Sequence, residues 1–286
     1  MFKMIGMGDL HFPSKNKQGE LLSTEERKTR DTFYNYYMNE FFKQDADIYF
    51  SVGDITTSGD IPEFDDLYRM IRKYNRNFRQ VLGNHDLLQY SRKEIYDRLN
   101  CKNNSFYENG DVILVYLETG REMDRKNFGG WISEEQKEWL SSMISKSGAK
   151  TLVIIAHHPV YNTTKNTVED MHHVDPKTEL WSVLEKKKDW IGIYINGHIH
   201  EDSIAKRNNW HFIQFCSVLD DPALRLFEFS KDTFSYQTHR LTDSEMKEKA
   251  TCIGQFNEQF RLQEDGPGTE KERNLIIDLN RNLLVN

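Results

Sequence analysis

Five times between residues 4 and 200, a short apolar run stops at a cluster of carboxylate, amide or imidazole side chains. Residues 4–8 stop at Asp9-Leu10-His11, residues 47–52 at Gly53-Asp54, and residues 78–82 at Gly83-Asn84-His85-Asp86. Residues 152–156 stop at His157-His158-Pro159, and residues 191–195 just before Gly197-His198-Ile199-His200. Apolar runs of this length, bounded by turn residues, predict buried strands. Helical patterns lie between them. Ser23-Thr24-Glu25-Glu26 has capping-box spacing and opens a helix to about residue 42, with Phe33, Tyr36, Tyr37 and Phe41 as a core stripe. Pro62 fits the first turn of a helix to about residue 74. Residues 89–99 look helical, and Ser133 to Gln136 repeats the capping box. Asp175-Pro176 predicts a helix start running to about residue 188. Strands alternating with helices predict an α/β layered domain. Ligands in such sheets gather at the carboxyl ends of strands, so turns scattered from residue 9 to residue 200 can converge.

Residues 112–117 form a continuous apolar run and predict a strand buried on both faces. Three more strand-like runs follow at 210–215, 224–229 and 233–238. Thr242-Asp243-Ser244-Glu245 caps a late helix to about residue 262, before a turn at Gly266-Pro267-Gly268 and a short apolar tail. This divides the chain into a main domain, 1–240, and a C-terminal extension, 241–286, of helix plus tail packed on the same domain.

The ligand types that arrive together are Asp9, His11, Asp54, Asn84, His157, His198 and His200. Imidazole and carboxylate suit first-row divalent ions such as Mn, Fe or Zn. His198 and His200, one residue apart in an extended segment, point to the same side. Seven ligands exceed what one tetrahedral ion takes, so two metals are the economical reading. Two carboxylates against two divalent ions leave the centre net positive, which suits a phosphate ester. In Asn84-His85-Asp86, Asn84 supplies a neutral oxygen, His85 a ring that can donate a proton, and Asp86 a partner to orient that ring.

These five blocks, in the order D-x-H, GD, GNH[DE], H-x-P and GH-x-H, resemble the calcineurin-like metallophosphoesterase superfamily over residues 5–200. The resemblance implies a four-layer sandwich of two mixed β-sheets flanked by helices. It implies that Asp9, His11 and His200 hold one metal, that Asn84, His157 and His198 hold the other, and that Asp54 bridges them. His85 would face the substrate beside Asn84 and assist the leaving oxygen, with Asp86 orienting it. Pro159 selects His157 over His158 as the ligand. Purple acid phosphatases carry a Tyr three residues after the bridging Asp, and here that position is Thr57. Protein phosphatases of this fold carry D-R-G after the second block, and here it reads Asp54-Ile55-Thr56-Thr57-Ser58-Gly59. The form is more similar to class III cyclic nucleotide phosphodiesterases and related bacterial hydrolases. The resemblance therefore implies in-line attack of a metal-bound hydroxide on a small phosphate ester, with a nucleotide diester first. A phosphomonoesterase, a nuclease and a non-catalytic metal-bound scaffold are the alternatives.

With 38 basic and 45 acidic side chains the net charge is −7, and no basic stripe stands out. That makes a nucleic-acid partner unlike this chain. No apolar run reaches the length of a membrane span. Cys101, Cys216 and Cys252 are far apart and odd in number, which predicts free buried thiols. With no leader-like start, the expected location is the cytoplasm. Loops 12–22 and 161–174 each follow a ligand and are expected to rim the site. His172 and His173 are expected in solvent, His211 and His239 in structural roles, and the five Trp in packing.

Overall fold

A computed structural model describes residues 1–101 and 105–279. In chain order the strands are β1 (Phe2–Met7), β2 (Ile48–Ser51), β3 (Phe78–Gln80), β4 (Ser105–Asn109), β5 (Val112–Leu117), β6 (Thr151–Ala156), β7 (Gly192–Asn196), β8 (Ser203–Arg207), β9 (Trp210–Gln214), β10 (Ala223–Phe229), β11 (Thr233–Arg240) and β12 (Asn274–Asp278). The helices are α1 (Thr24–Phe42), α2 (Ile61–Arg72), α3 (Arg92–Leu99), α4 (Glu134–Ser147), α5 (Leu180–Leu184), α6 (Ser244–Phe256) and α7 (Glu270–Arg273).

Side-chain alternation along the strands sets the layering. In β5, Val112, Leu114 and Tyr116 enter one apolar cluster, while Ile113, Val115 and Leu117 enter another. β6 divides in the same way, so both faces of this sheet are buried, as its unbroken apolar run requires. The two sheets each have six strands, in the orders β12-β11-β10-β1-β2-β3 and β4-β5-β6-β7-β9-β8. Both are mixed. β1-β2-β3 and β5-β6-β7-β9 run parallel, and the remaining pairs are antiparallel. Phe50, Val52, Ile155, Ile195, Phe215 and Phe227 fill the space between the sheets. Phe33, Tyr37 and Phe41 of α1 pack on the outer face of the first sheet with residues of α2, α3 and α6. α4 and α5 cover the second sheet. The expected four-layer sandwich is present.

Several boundaries differ from the sequence reading. The helix expected to run from Asp175 to about residue 188 breaks. Asp175 caps a 3-10 turn through Lys177 N (2.9 Å), Glu179 takes a left-handed φ of 55°, and only α5 follows. α6 stops at Phe256 because Asn257 turns extended (φ −65°, ψ 129°). β4, β8 and β12 carry charged or amide residues and lack a long apolar run, so periodicity missed them. β12 pairs with β11, replacing part of the expected tail, and residues 280–286 lie outside the described residues. Of the three thiols only Cys216 is buried, while Cys252 is exposed. Trp131 is also exposed, under the Arg121 guanidinium, and is no core residue. No helix among the described residues is long and apolar enough to cross a membrane.

Candidate metal centre

The loops that leave β1, β2 and β3 in the first sheet, and β6 and β7 in the second, end at one seam. There the ring nitrogens and carboxylates converge. The Nε2 atoms of His11 and His200 face each other at 2.9 Å. Asp9 Oδ2 lies 3.3 Å from His200 Nε2 and accepts from His198 N at 2.9 Å. His157 Nε2 is 3.0 Å from Asn84 Oδ1 and 3.2 Å from Asp54 Oδ2. Asp54 Oδ2 is also 3.9 Å from His11 Nε2, so this carboxylate stands between the two groups.

The opposite edges of the rings are already committed. His157 Nδ1 donates to Val52 O (2.9 Å), and His198 Nε2 donates to Met171 O (3.0 Å). Each ring is thereby fixed in one orientation, and the other nitrogen of His157 faces Asn84 and Asp54, as when a backbone carbonyl orients a metal-bound histidine. Asp9 Oδ1 and His11 Nδ1 are buried with no hydrogen-bond partner among the described residues. A buried carboxylate oxygen without a donor is costly unless a cation satisfies it. The donor set fits divalent ions: Asp9, His11 and His200 cluster in one place, and Asp9, Asp54 and His157 in another.

Burial alone would raise the Asp54 carboxyl, but the His157 and His85 rings outweigh it and hold it well below its usual range. Burial alone would lower His157, and Asp54 reverses this and lifts it to about 9. His11 is lowered, first by burial and then by the neighbouring His85 and His200 rings.

The backbone is strained where the ligands sit. His11 (φ 47°), Asp54 (47°), His198 (74°) and His200 (62°) all occupy the left-handed region that non-glycine residues rarely visit. Two glycines make room for them. A Cβ on Gly83 would lie 2.0 Å from Asp54 Oδ1, and one on Gly197 would lie 2.1 Å from Asp9 Oδ1. Close approach of a carboxylate, more than a special φ, requires glycine at both.

The expected pairing of Asp86 with His85 is absent. Asp86 accepts from Gly83 N (3.0 Å), Ile55 N (3.3 Å), Thr56 N (2.9 Å) and Thr56 Oγ1 (2.7 Å), and so ties the Asn84 turn to the Asp54 turn. Burial and the Asp54 charge lift its carboxyl to about 7, against those donors. His85 Nδ1 instead lies 2.7 Å from the Thr57 carbonyl. Thr57 also donates to His11 O (2.8 Å), so the residue after Thr56 orients two site histidines. Its place three residues past Asp54 was the only signal available in the sequence.

Both nitrogens of His158 are used. Nδ1 accepts from Thr119 Oγ1 (2.9 Å) and Nε2 donates to Phe128 O (2.8 Å), which fits its ring being held neutral by burial. Its role is to fix Phe128 beside His198. A cavity of about 680 Å³ opens over the site, lined by Asp54, Asn84, His85, His198 and His200. Loop 161–174 lines it through Asn166 and His172, as expected. Loop 12–22 does not. Lys15 pairs with Asp60 and Asn16 bridges to Asn257, away from the cavity. The wall comes instead from Asp124, Arg125 and Phe128 and from Gln259, Arg261 and Gln263. His172 lines the cavity while staying half-exposed, and His173 is buried against Tyr161, which corrects its placement in solvent. His211 is buried in β9, and His239 is exposed on β11. The sequence also gave no hint of Phe260, which stacks on His200 at 5.1 Å, or of Asp220, whose buried carboxylate lies 3.8 Å from His200 Nδ1.

Residues 2–202 match the family described as calcineurin-like phosphoesterase. The chain is 24% identical over 264 residues to the probable glycerophosphodiester phosphodiesterase GpdQ of Arcobacter nitrofigilis, covering 88% of this chain and 94% of that protein. A dimetal phosphatase from Danio rerio has a similar structure, with a TM-score of 0.64 and 16% identity, covering 84% of this chain and 96% of that one. GAP50, described as the anchor in the inner membrane complex of Plasmodium, gives a TM-score of 0.54 at 12% identity, covering 94% and 99%. At these identities the two structures establish likeness of fold.

Proposed function

The chain belongs to the calcineurin-like phosphoesterase family, and from that membership we propose that it hydrolyses a small phosphate diester at a centre of two divalent metal ions. Asp9, His11 and His200 would hold one ion, Asn84, His157 and His198 the other, and Asp54 would lie between them. The carrying observation is that each of these groups draws side chains from both sheets, with Asp54 Oδ2 within 3.2 Å of a ring in one group and 3.9 Å of a ring in the other. Bound there, Mn, Fe or Zn would polarise a phosphoryl oxygen and lower the pKa of a water. The Asn84 amide nitrogen is left for a phosphoryl oxygen while Oδ1 faces His157. His85 donates through Nδ1 to the Thr57 carbonyl, which turns Nε2 toward the substrate, and in the doubly protonated ring the Nε2 proton would pass to the leaving alcohol oxygen, leaving a neutral imidazole. Asp86 serves this step by holding the Asn84 and Asp54 turns together.

The named function of the Arcobacter relative makes a glycerol diester a candidate beside the nucleotide diester that the motif form suggests. The test is hydrolysis of bis(p-nitrophenyl) phosphate against p-nitrophenyl phosphate by protein loaded with Mn, followed by panels of cyclic nucleotides and glycerol phosphodiesters. Faster turnover of the diester is expected. Faster turnover of the monoester would replace the reading with a phosphomonoesterase. No turnover of either would favour a metal-bound scaffold.

A further inference from the structure

Beyond α6 the chain passes over the site without regular structure, and its side chains divide between the ligands and the cavity. Phe260 is buried, stacked on His200 and edge-on to His11, each at 5.1 Å. Leu262 turns the same way, against Gly254. Gln259, Arg261 and Gln263 line the cavity instead. The segment is pinned at intervals. Asn257 Nδ2 donates to His11 O and to Thr57 Oγ1, both at 2.9 Å. Gln263 N donates to Asp220 Oδ1 at 2.7 Å, and Gly266 O accepts from Asp202 N at 2.6 Å.

The three cavity-facing groups are uncommitted. Among the described residues, the side chains of Gln259, Arg261 and Gln263 make no hydrogen bond or ion pair. The carboxylates that share the cavity are occupied instead. Asp124 Oδ1 accepts from Lys126 N and Asn127 N, and Glu201 Oε1 accepts from Asn166 Nδ2. The cavity thus offers two amides and a guanidinium two residues apart on this wall, with the Arg125 guanidinium elsewhere on its lining.

Resting on the diesterase reading above, we infer that residues 259–263 are the specificity wall of this site. Their free donors select a diester whose alcohol carries hydroxyl oxygens, such as a glycerol phosphodiester, over one with aryl alcohols. A nitrophenyl ring offers these amides only weakly accepting nitro oxygens, whereas vicinal hydroxyls accept from both and an oxygen-rich headgroup from Arg261.

The test compares KM and kcat for glycerophosphoethanolamine and for bis(p-nitrophenyl) phosphate, using the full chain loaded with Mn. The variants are Arg261→Gln and the double variant Gln259→Ala with Gln263→Ala. All three side chains are exposed, so both variants are expected to fold, with Tm as the check. Losing donors to substrate oxygens is expected to raise KM for the glycerol diester about tenfold or more. The rise for the aryl diester should be at least fivefold smaller, and Arg261→Lys should recover part of the loss. Equal rises for both diesters, or a fall in kcat with KM unmoved, in an otherwise active enzyme would overturn this inference alone. If the wild type turned over neither diester, the reading beneath it would fall and this inference with it.

Discussion

The ligand turns and the segment 257–266 lie against each other but are built by opposite means. The turns are buried, four of their ligands sit in the left-handed region, and Gly83 and Gly197 are pressed against carboxylates. Strands on both sheets hold them in place, which lets the fold sustain strain of about 1–3 kcal/mol at each such residue. The 257–266 segment has no regular structure across the cavity. It is held by an amide, a ring stack and two backbone bonds, and it keeps the polar side chains of Gln259, Arg261 and Gln263 exposed. Chemistry that depends on ångström placement sits on the over-determined part. Recognition, which tolerates adjustment, sits on the part that can be altered without disturbing the core.

The sharpest way to break this contrast is at Asp54. Asp54→Ala should abolish turnover and leave fewer than two metals per chain by elemental analysis. An active wild type carrying only one metal would remove the shared-carboxylate idea.

His85→Ala comes next. It should keep both metals and lose about 10² to 10⁴ in kcat, as expected for loss of a positioned general acid. The loss should shrink for nitrophenolate leaving groups, which need less protonation. His85 also lies close enough to His11 and Asp54 to join a ligand cluster. Loss of a metal in this variant, or equal losses for good and poor leaving groups, would therefore make it a ligand instead.

Asn257→Ala tests the joint between the two regions. It removes the donor to His11 O and Thr57 Oγ1. Unfolding in urea should show a destabilisation of about 1–3 kcal/mol. Metal affinity should fall about 10-fold to 100-fold, as for other groups that orient ligands. Unchanged metal affinity would mean that the segment rests on the site without supporting it.

At the small end, Gln263→Ala is an exposed change and should move stability by no more than about 0.5 kcal/mol while metal content stays constant. A larger shift would show that the wall is as rigid as the turns, and the contrast would fail.

The individual turns were legible because each is a local pattern. A short apolar run stops at Asp, Asn or His, and that is visible in fewer than ten residues. The capping boxes at Ser23 and Ser133 were legible for the same reason, and both are present. Adjacency in sequence points to Asp86 as the partner of His85, and the fold decides otherwise. The chain turns so that the Asp86 carboxylate faces backbone amides, and the ring faces Thr57 instead.

By itself the sequence determined the layered α/β class, the strands that end at the ligands and the residue types available for a metal centre. Period-two and capping patterns are local, and each reports its own few residues. Only the tertiary structure decided which side chains complete the site. Asn257 reaches His11 across 246 residues of chain, and Phe260 reaches His200 from a segment with no periodicity. Contacts of that range come from how the sheets and α6 pack together. No short stretch of sequence carries that information.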